Sequence, residues 1–176
     1  AFAGNFKTAH RKGVDFLSGY CAVKPAPADI VITTNGGYPL DQNAYQCPKG
    51  MSAAEATVND GGVIIMLATC QDGHGGESYY HSIADAESAD AFFQQCLHTP
   101  QVETLPDQWC AQIWCRIVRK YKVLFVADKA QEQLIRDLKV EYFETLDEAY
   151  ARARELKGPD ATLACIPNGV SVVVKD

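Results

Sequence analysis

The sequence predicts an α/β fold of three layers, in which a mostly parallel, Rossmann-like sheet carries helices on both faces. Short apolar runs rich in β-branched residues alternate along the chain with helical patterns of about ten to fifteen residues. Connections of that kind join parallel strands through right-handed crossovers. Near the end of the chain, Asn168-Gly169 separates two apolar runs, which predicts a hairpin that adds an antiparallel edge strand.

Composition limits the class of protein. With 176 residues, 47% of them hydrophobic, the chain can bury the core of one ordinary domain. A net charge of -6 and a pI near 5.2 argue against nucleic-acid binding, and no run of 18 apolar residues indicates a membrane span. Seven scattered cysteines without a C-x-x-C pair are typical of reduced thiols, so we expect a cytoplasmic protein.

The first part of the chain predicts a helix and then an extended spacer. Residues 5–20 follow an imperfect amphipathic pattern, and Lys24-Pro25-Ala26-Pro27 is stiff and extended. Because the chain opens without methionine, we expect a segment of a longer protein. We therefore predict residues 1–27 to be a helical segment and linker, and residues 28–176 to be the α/β domain.

The central stretch predicts a strand, a glycine turn and a return to helix. Residues 30–34 suit a buried strand, and Asn35-Gly36-Gly37 can turn sharply or approach a ligand closely. Tyr38 and Pro39 follow, and Asp41 can cap a helix start. In an open α/β sheet, ligands bind outside the carboxyl ends of the strands, so this turn is a candidate site.

Gln46 and Lys49 are three positions apart, so one helical turn would place both on the same face. Together they would offer an amide and an ammonium group to one anionic oxygen ligand. Pro48 lies between them and predicts a kink or a helix end. The alternative is that Lys49 is a solvated surface lysine and Gln46 a capping residue.

The next stretch predicts a helix, a second strand and a glycine-rich loop. Ser52 and Glu55 match a capping box, which places a helix start at Ser52. Residues 63–68 form an apolar run that predicts a strand parallel to the first. The loop that follows contains His74 among glycines, lacks the spacing of a dinucleotide fingerprint and is not followed at once by a clear helix.

The remaining elements alternate regularly between helix and strand. Pro106 fits the first turn of a helix that carries Trp109 toward Lys120. The other predicted helices are residues 85–97, 129–138 and 146–156, and the other predicted strands are residues 122–127, 140–143, 161–167 and 170–175.

These residues alone support no more than an α/β domain that presents Tyr38, Tyr45, Gln46 and Lys49 in a cleft. They suit a small carboxylate or hydroxy acid. The sequence contains no Ser-His-Asp arrangement, metal-binding cluster or phosphate loop. A complete catalytic set would have to come from elsewhere.

The run T-T-N-G-G-Y-P-L-D-Q-N-x-Y-Q-x-x-K-G-M, residues 33–51, closely resembles the C-terminal domain of the nickel-pincer lactate racemase family. The resemblance implies an isomerase, a 2-hydroxy-acid racemase or epimerase that uses a nickel-pincer nucleotide. The cofactor, its tethering lysine and two acid–base histidines would lie in the N-terminal domain. Hydride would leave and return to the substrate α-carbon, and we expect the isolated segment to be inactive and to bind no cofactor alone.

The resemblance also implies roles for individual residues. Gln46 and Lys49 match the family's catalytic pair, with Tyr45 adjacent. Substrate or cofactor contacts are expected from Asn35, Gly36, Gly37, Tyr38, His74 and Trp109. No metal ligand is expected in this segment. Cys47-Pro48 departs from the family's usual small apolar pair, which puts the substrate in doubt, and a noncatalytic α/β small-ligand-binding domain stays the alternative.

Overall fold

A computed structural model describes residues 1–175. The helices are α1 Phe6–Cys21, α2 Pro48–Glu55, α3 Glu77–Ala84, α4 Ala89–His98, α5 Gln108–Val118, α6 Glu132–Asp137 and α7 Leu146–Lys157. The strands are β1 Ala22–Val23, β2 Ala28–Thr34, β3 Val58–Leu67, β4 Lys122–Val126, β5 Glu141–Phe143, β6 Leu163–Ile166 and β7 Val173–Val174.

Five strands form one sheet in the order β5-β4-β3-β2-β6, and every neighbouring pair is parallel. The pairing aligns the apolar runs directly, with Val31 opposite Ile64 and Ile64 opposite Val123. Because all five strands run the same way, their carboxyl ends meet at one edge of the sheet. The predicted α/β fold with a mostly parallel sheet is confirmed.

Helices cover both faces of this sheet. On one face Val31, Ile64 and Phe125 pack in the larger core cluster together with residues of α2 to α5, including the fully buried Trp114. On the other face Ile30, Ile65 and Leu124 pack against Ala149 and Ala153 of α7. The small alanine side chains let α7 approach the sheet closely, and they complete the third layer.

The predicted antiparallel edge hairpin is wrong. Within residues 1–175, β7 pairs in parallel with β1 as a separate two-stranded sheet. The Asn168-Gly169 turn instead packs against the carboxyl end of β2 and the first turns of α2, and the Gly169 amide donates to the Thr34 carbonyl at 2.9 Å. A Cβ on Gly169 would lie 2.7 Å from Cα of Gly50, so glycine serves here for close approach and not for a hairpin.

Several helix starts also differ from the prediction. Helix α2 begins at Pro48, which occupies the first turn, where its missing N–H group costs nothing. Ser52 is therefore inside the helix, and its hydroxyl donates to the Pro48 carbonyl at 2.7 Å. Helix α3, beginning at Glu77, was not expected, and Pro106 lies two residues before α5.

Helix α1 stands apart from the core. It contains no buried residue, and Phe6 and Tyr20 are 74% and 76% exposed. Phe16 contacts Phe2 and Tyr20 along the helix surface. Over residues 1–175, no helix combines the length and apolar character needed to cross a bilayer.

Candidate functional site

The turn after β2 is held together by the side chain of Asn35. Its amide nitrogen donates to the carbonyl oxygens of Leu40 at 2.7 Å and Gln46 at 2.8 Å, and its amide oxygen accepts from the Gly50 amide at 3.1 Å. The residue is fully buried. Asn35 therefore braces the loop from inside and does not face a ligand.

The two glycines of this turn have left-handed backbone conformations, with φ of +83° at Gly36 and +87° at Gly37. A Cβ at Gly36 would lie 2.7 Å from the Asn168 side-chain nitrogen, whereas a Cβ at Gly37 would meet nothing within 4 Å. The Asn168 side chain therefore packs against Gly36, which is otherwise exposed, whereas the space at the Cβ position of Gly37 is open. Tyr38 follows with an exposed ring.

Gln46 and Lys49 lie together at the surface. Gln46 ends a short 3-10 turn, Lys49 is in the first turn of α2, and the Lys49 ammonium donates to the Gln46 side-chain oxygen at 2.5 Å. Lys49 is exposed and Gln46 is half-buried. Because the first turn of α2 contains no acidic residue, the ammonium group and the helix N-terminus both favour an anion here.

Tyr45 is fixed beside this pair by an aromatic and acidic environment. Its hydroxyl donates to Asp107 Oδ1 at 3.1 Å, and its ring meets Tyr79 and Trp109 edge-on, with centroids 5.5 and 6.1 Å apart. Burial and the Asp107 hydrogen bond raise the pKa of Tyr45 to about 12. The phenol is therefore neutral, and half-exposed Trp109 borders it.

The glycine-rich loop after β3 is joined to the same segment through its backbone. The amides of Ala44 and Tyr45 donate to the carbonyl oxygens of Gly73 and His74 at 3.1 and 3.0 Å. The His74 ring is directed elsewhere: Nδ1 accepts from the Gly76 amide at 3.1 Å, and the ring stacks on Tyr80 at 5.0 Å. Among the described residues, none of its hydrogen bonds reaches Gln46 or Lys49.

A cavity of about 300 Å³ lies at the carboxyl ends of β2 to β5. Of the predicted site residues, all of which lie in the described chain, Gly37 alone lines it. Three carboxylates, Asp41, Asp128 and Glu144, also line it. Asp41 caps no helix; its Oδ2 accepts from the Thr69 amide at 3.3 Å and so ties the two loops together.

Buried thiols lie beneath the site. Burial raises the pKa of Cys47 well above its ordinary value, and it raises that of Cys110 to about 12. Cys110 Sγ donates to the Tyr45 carbonyl at 3.3 Å. All seven cysteines are free, so these thiols act as packing groups.

The structure thus brings Tyr45, Gln46, Lys49 and Trp109 to one surface, with the backbone of His74 alongside. Sequence reasoning gave Asp41 only a capping role and did not indicate Asp107. The structure corrects the first, because Asp41 lines the cavity and accepts from the Thr69 amide. Asp107 lies 62 positions from Tyr45, and no local pattern indicates that pairing.

Comparisons with known proteins agree on one family. The family model described as lactate racemase C-terminal domain matches residues 23–174. A lactate racemase of Lactiplantibacillus plantarum is 47% identical over 99% of this chain and 41% of its own length. A lactate racemase of Thermoanaerobacterium thermosaccharolyticum is 46% identical over 100% of this chain and 41% of its own length.

The fold comparison gives the same result. The structure of the lactate racemase apoprotein from T. thermosaccharolyticum superimposes with a TM-score of 0.92 and 44% identity. That match covers 98% of this chain and 42% of the other chain. The chain therefore spans about two fifths of the length of the curated relatives it matches.

Proposed function

The chain belongs to the family of lactate racemase C-terminal domains, and from this premise we propose that it covers the substrate in a nickel-pincer nucleotide-dependent 2-hydroxy-acid racemase or epimerase. The observation that carries the proposal is the Gln46–Lys49 pair, which lies at the carboxyl edge of the sheet with Tyr45 and Trp109 beside it. Residues 28–176 would form the covering domain, and residues 1–27 would lead into it from an N-terminal domain.

In this proposal Lys49 binds and orients an anionic oxygen. The substrate carboxylate, or an oxygen that gains charge during the reaction, would lie against the ammonium group at the start of α2. An ammonium ion in a closed, poorly hydrated cleft stabilises such charge far better than in water. Gln46 accepts from Lys49, so its own NH₂ group is free to donate to the same ligand.

The remaining residues shape the pocket. Tyr45 and Trp109 contribute two aromatic rings to this surface, and the open space at the Cβ position of Gly37 leaves room for a ligand. Tyr38 presents an exposed ring on the same loop. Asn35 and Gly36 would contribute indirectly, by holding the turn, and His74 through the backbone of its loop.

Lys49 and Gln46 offer hydrogen-bond donors, which suit an oxygen atom of the nucleotide cofactor and not its metal. Within residues 1–175, no group of three His, Cys, Asp or Glu side chains could hold a metal ion. Lys49 and Gln46 could instead contact an anionic or carbonyl oxygen of the cofactor. When bound, the nickel-pincer nucleotide would supply an acceptor for hydride.

An upstream domain is the partner that this proposal requires. The exposed aromatic residues of α1 supply an apolar surface on the segment that would lead into it. The second partner is a small 2-hydroxy acid. Seven free thiols support a cytoplasmic location.

The test is racemisation of a panel of 2-hydroxy acids by the full-length, nickel-loaded protein. We expect Lys49→Ala to lower kcat/KM more than tenfold, because the ammonium group stabilises charge at the reacting oxygen. The matched control is Lys120→Ala, since Lys120 is exposed at the opposite edge of the sheet, where it pairs with exposed Asp60 at 3.3 Å and lies over the Tyr121 ring. Circular dichroism would check that both variants fold.

Near-normal racemisation by Lys49→Ala would remove Lys49 from the site. A full-length protein that carries nickel but racemises no member of the panel would contradict the proposal. It would favour a noncatalytic ligand-binding domain.

A further inference from the structure

We infer that Asp107 is a positioning residue for Tyr45, and that it turns the Tyr45 hydroxyl into an acceptor for a hydroxyl group of the ligand. The inference rests on the proposed function and names a residue that the family pattern did not indicate. Three features of the described residues support it: the backbone of Asp107, the direction of its hydrogen bond and the rigidity of its surroundings.

The backbone of Asp107 is unusual for its place in the chain. The residue directly precedes α5, where aspartate normally accepts a hydrogen bond from the helix's own amides. Here φ is +61° and ψ is +2°, in the left-handed region, and the side chain makes no capping bond. The carboxylate of Asp107 therefore does not cap α5. It accepts a hydrogen bond from the Tyr45 hydroxyl at 3.1 Å instead.

The position of the acceptor is fixed by neighbouring contacts. The Ser78 hydroxyl donates to the Pro106 carbonyl at 2.6 Å, and the Leu105 amide donates to the Gln108 side chain at 3.1 Å. The loop around Asp107 is thus held from two sides. Its carboxylate can therefore hold the Tyr45 ring at one angle.

The direction of the hydrogen bond limits what Tyr45 can do. A phenol has one proton, and here that proton goes to the carboxylate. The oxygen then presents only lone pairs to the surface. It can accept from a ligand hydroxyl but cannot donate to a ligand carboxylate, a role left to Lys49 and Gln46. A 2-hydroxy acid contains both groups.

The test uses the full-length protein and two readouts. The first is the pH titration of ¹³Cζ-labelled tyrosine by NMR, with the Tyr45 signal assigned from Tyr45→Phe. The Tyr45 pKa should be near 12 in the parent. It should fall in Asp107→Ala, because the carboxylate that holds the phenol proton is gone. This readout requires no activity.

The second readout is the kcat/KM of racemisation, compared in a double-mutant cycle of Asp107 and Tyr45. We expect Asp107→Ala and Tyr45→Phe each to lower kcat/KM at least fivefold, and the double variant to lose no more than the worse single variant. Asp107→Asn keeps an oxygen acceptor and should retain more activity than Asp107→Ala. It serves as the variant that preserves the shape of the loop.

The outcomes separate this inference from the proposed function. An unchanged Tyr45 titration in Asp107→Ala, or losses that multiply in the double variant, would overturn the positioning role. A parent that racemises nothing contradicts the proposed function alone, since the NMR titration still decides whether Asp107 holds Tyr45.

Discussion

The side-chain amides of Asn35 and Gln46, in the same loop, have different roles because they differ in burial. Asn35 is fully buried, and its amide makes three hydrogen bonds to backbone groups. Gln46 is half-buried and pairs with the exposed Lys49. Since a buried amide left without partners would be costly, Asn35 is committed to the fold, whereas Gln46 keeps donors for a ligand.

The hydrogen bonds of the Asp29 carboxylate lead to a prediction about pH. Asp29 accepts from the Asn59 side chain at 3.0 Å and from the amide and hydroxyl of Thr162 at 2.9 and 2.8 Å. The Asn59 hydrogen bond, followed by those of Thr162, lowers the pKa of Asp29 from 3.8 to about 2. A lowered carboxyl pKa stabilises the fold above the unfolded value, and this is lost as the pH falls.

We therefore expect part of the stability to disappear between about pH 4 and pH 2, and Asp29→Asn to remove that part of the pH dependence. Urea unfolding across this range measures it, with Glu87→Gln, at an exposed position, as the control that also removes one carboxylate. Parallel stability curves for the parent and Asp29→Asn would contradict the role of Asp29.

At this scale the sequence predicts local neighbours well and distant ones poorly. The spacing of Gln46 and Lys49 predicted that they share a face, and they form a hydrogen bond. The partner of Tyr45 depends on how α5 and its preceding loop pack onto the β2–α2 loop. No local pattern carries that information, and for the same reason the internal role of Asn35 was not foreseen.

At the scale of elements, the glycine turn after β2 gives a matched pair of substitutions. Gly36 and Gly37 both have positive φ, so alanine at either should cost roughly 1–2 kcal/mol. Only Gly36 would also place a Cβ 2.7 Å from Asn168. We expect Gly36→Ala to cost about 1–3 kcal/mol more than Gly37→Ala, because that contact overpacks the turn.

Urea unfolding of the two variants measures the difference. Adding Asn168→Ala to Gly36→Ala should recover most of the extra cost, since it removes the atoms that the new Cβ would meet. Equal losses in the two single variants would show that the turn relaxes away from Asn168.

The elements that the sequence predicted best are those whose pattern and packing agree. The β-branched runs of β2 and β3 are buried on both sides, as a parallel sheet requires. The Asn168-Gly169 signal failed because the turn packs against Gly50. The capping signature at Ser52 was outweighed by Pro48, which starts α2 one turn earlier.

At the scale of the whole molecule, the core is covered on all sides, whereas the candidate site is open to solvent. Both faces of the sheet are covered by helices of the described chain, and the large residues of the core are fully buried. Tyr45, Gln46, Lys49 and Trp109 lie instead on an open surface at one edge of the sheet. The boundary between residues 1–27 and residues 28–176 stays a prediction. If it is right, an upstream domain covers both that surface and α1.

Helix α1 offers a test of this division. It has no buried residue, and even its large aromatic side chains, Phe6, Phe16 and Tyr20, are more than half exposed. An isolated helix of this length is marginal in water. We therefore expect its amides to exchange with deuterium at least tenfold faster in a chain limited to residues 1–176 than in the full-length protein, where an N-terminal domain would cover the apolar surface.

Hydrogen exchange with mass spectrometry measures both samples, and α5, which carries the fully buried Trp114, is the internal reference with equal protection in each. Mutating Phe16→Ser in the full-length protein should raise α1 exchange without changing α5, because Phe16 contacts Tyr20 on the exposed surface that the upstream domain would cover. If α1 exchanged equally in the two samples, its apolar surface would have no partner upstream, and residues 1–27 would belong with the α/β domain.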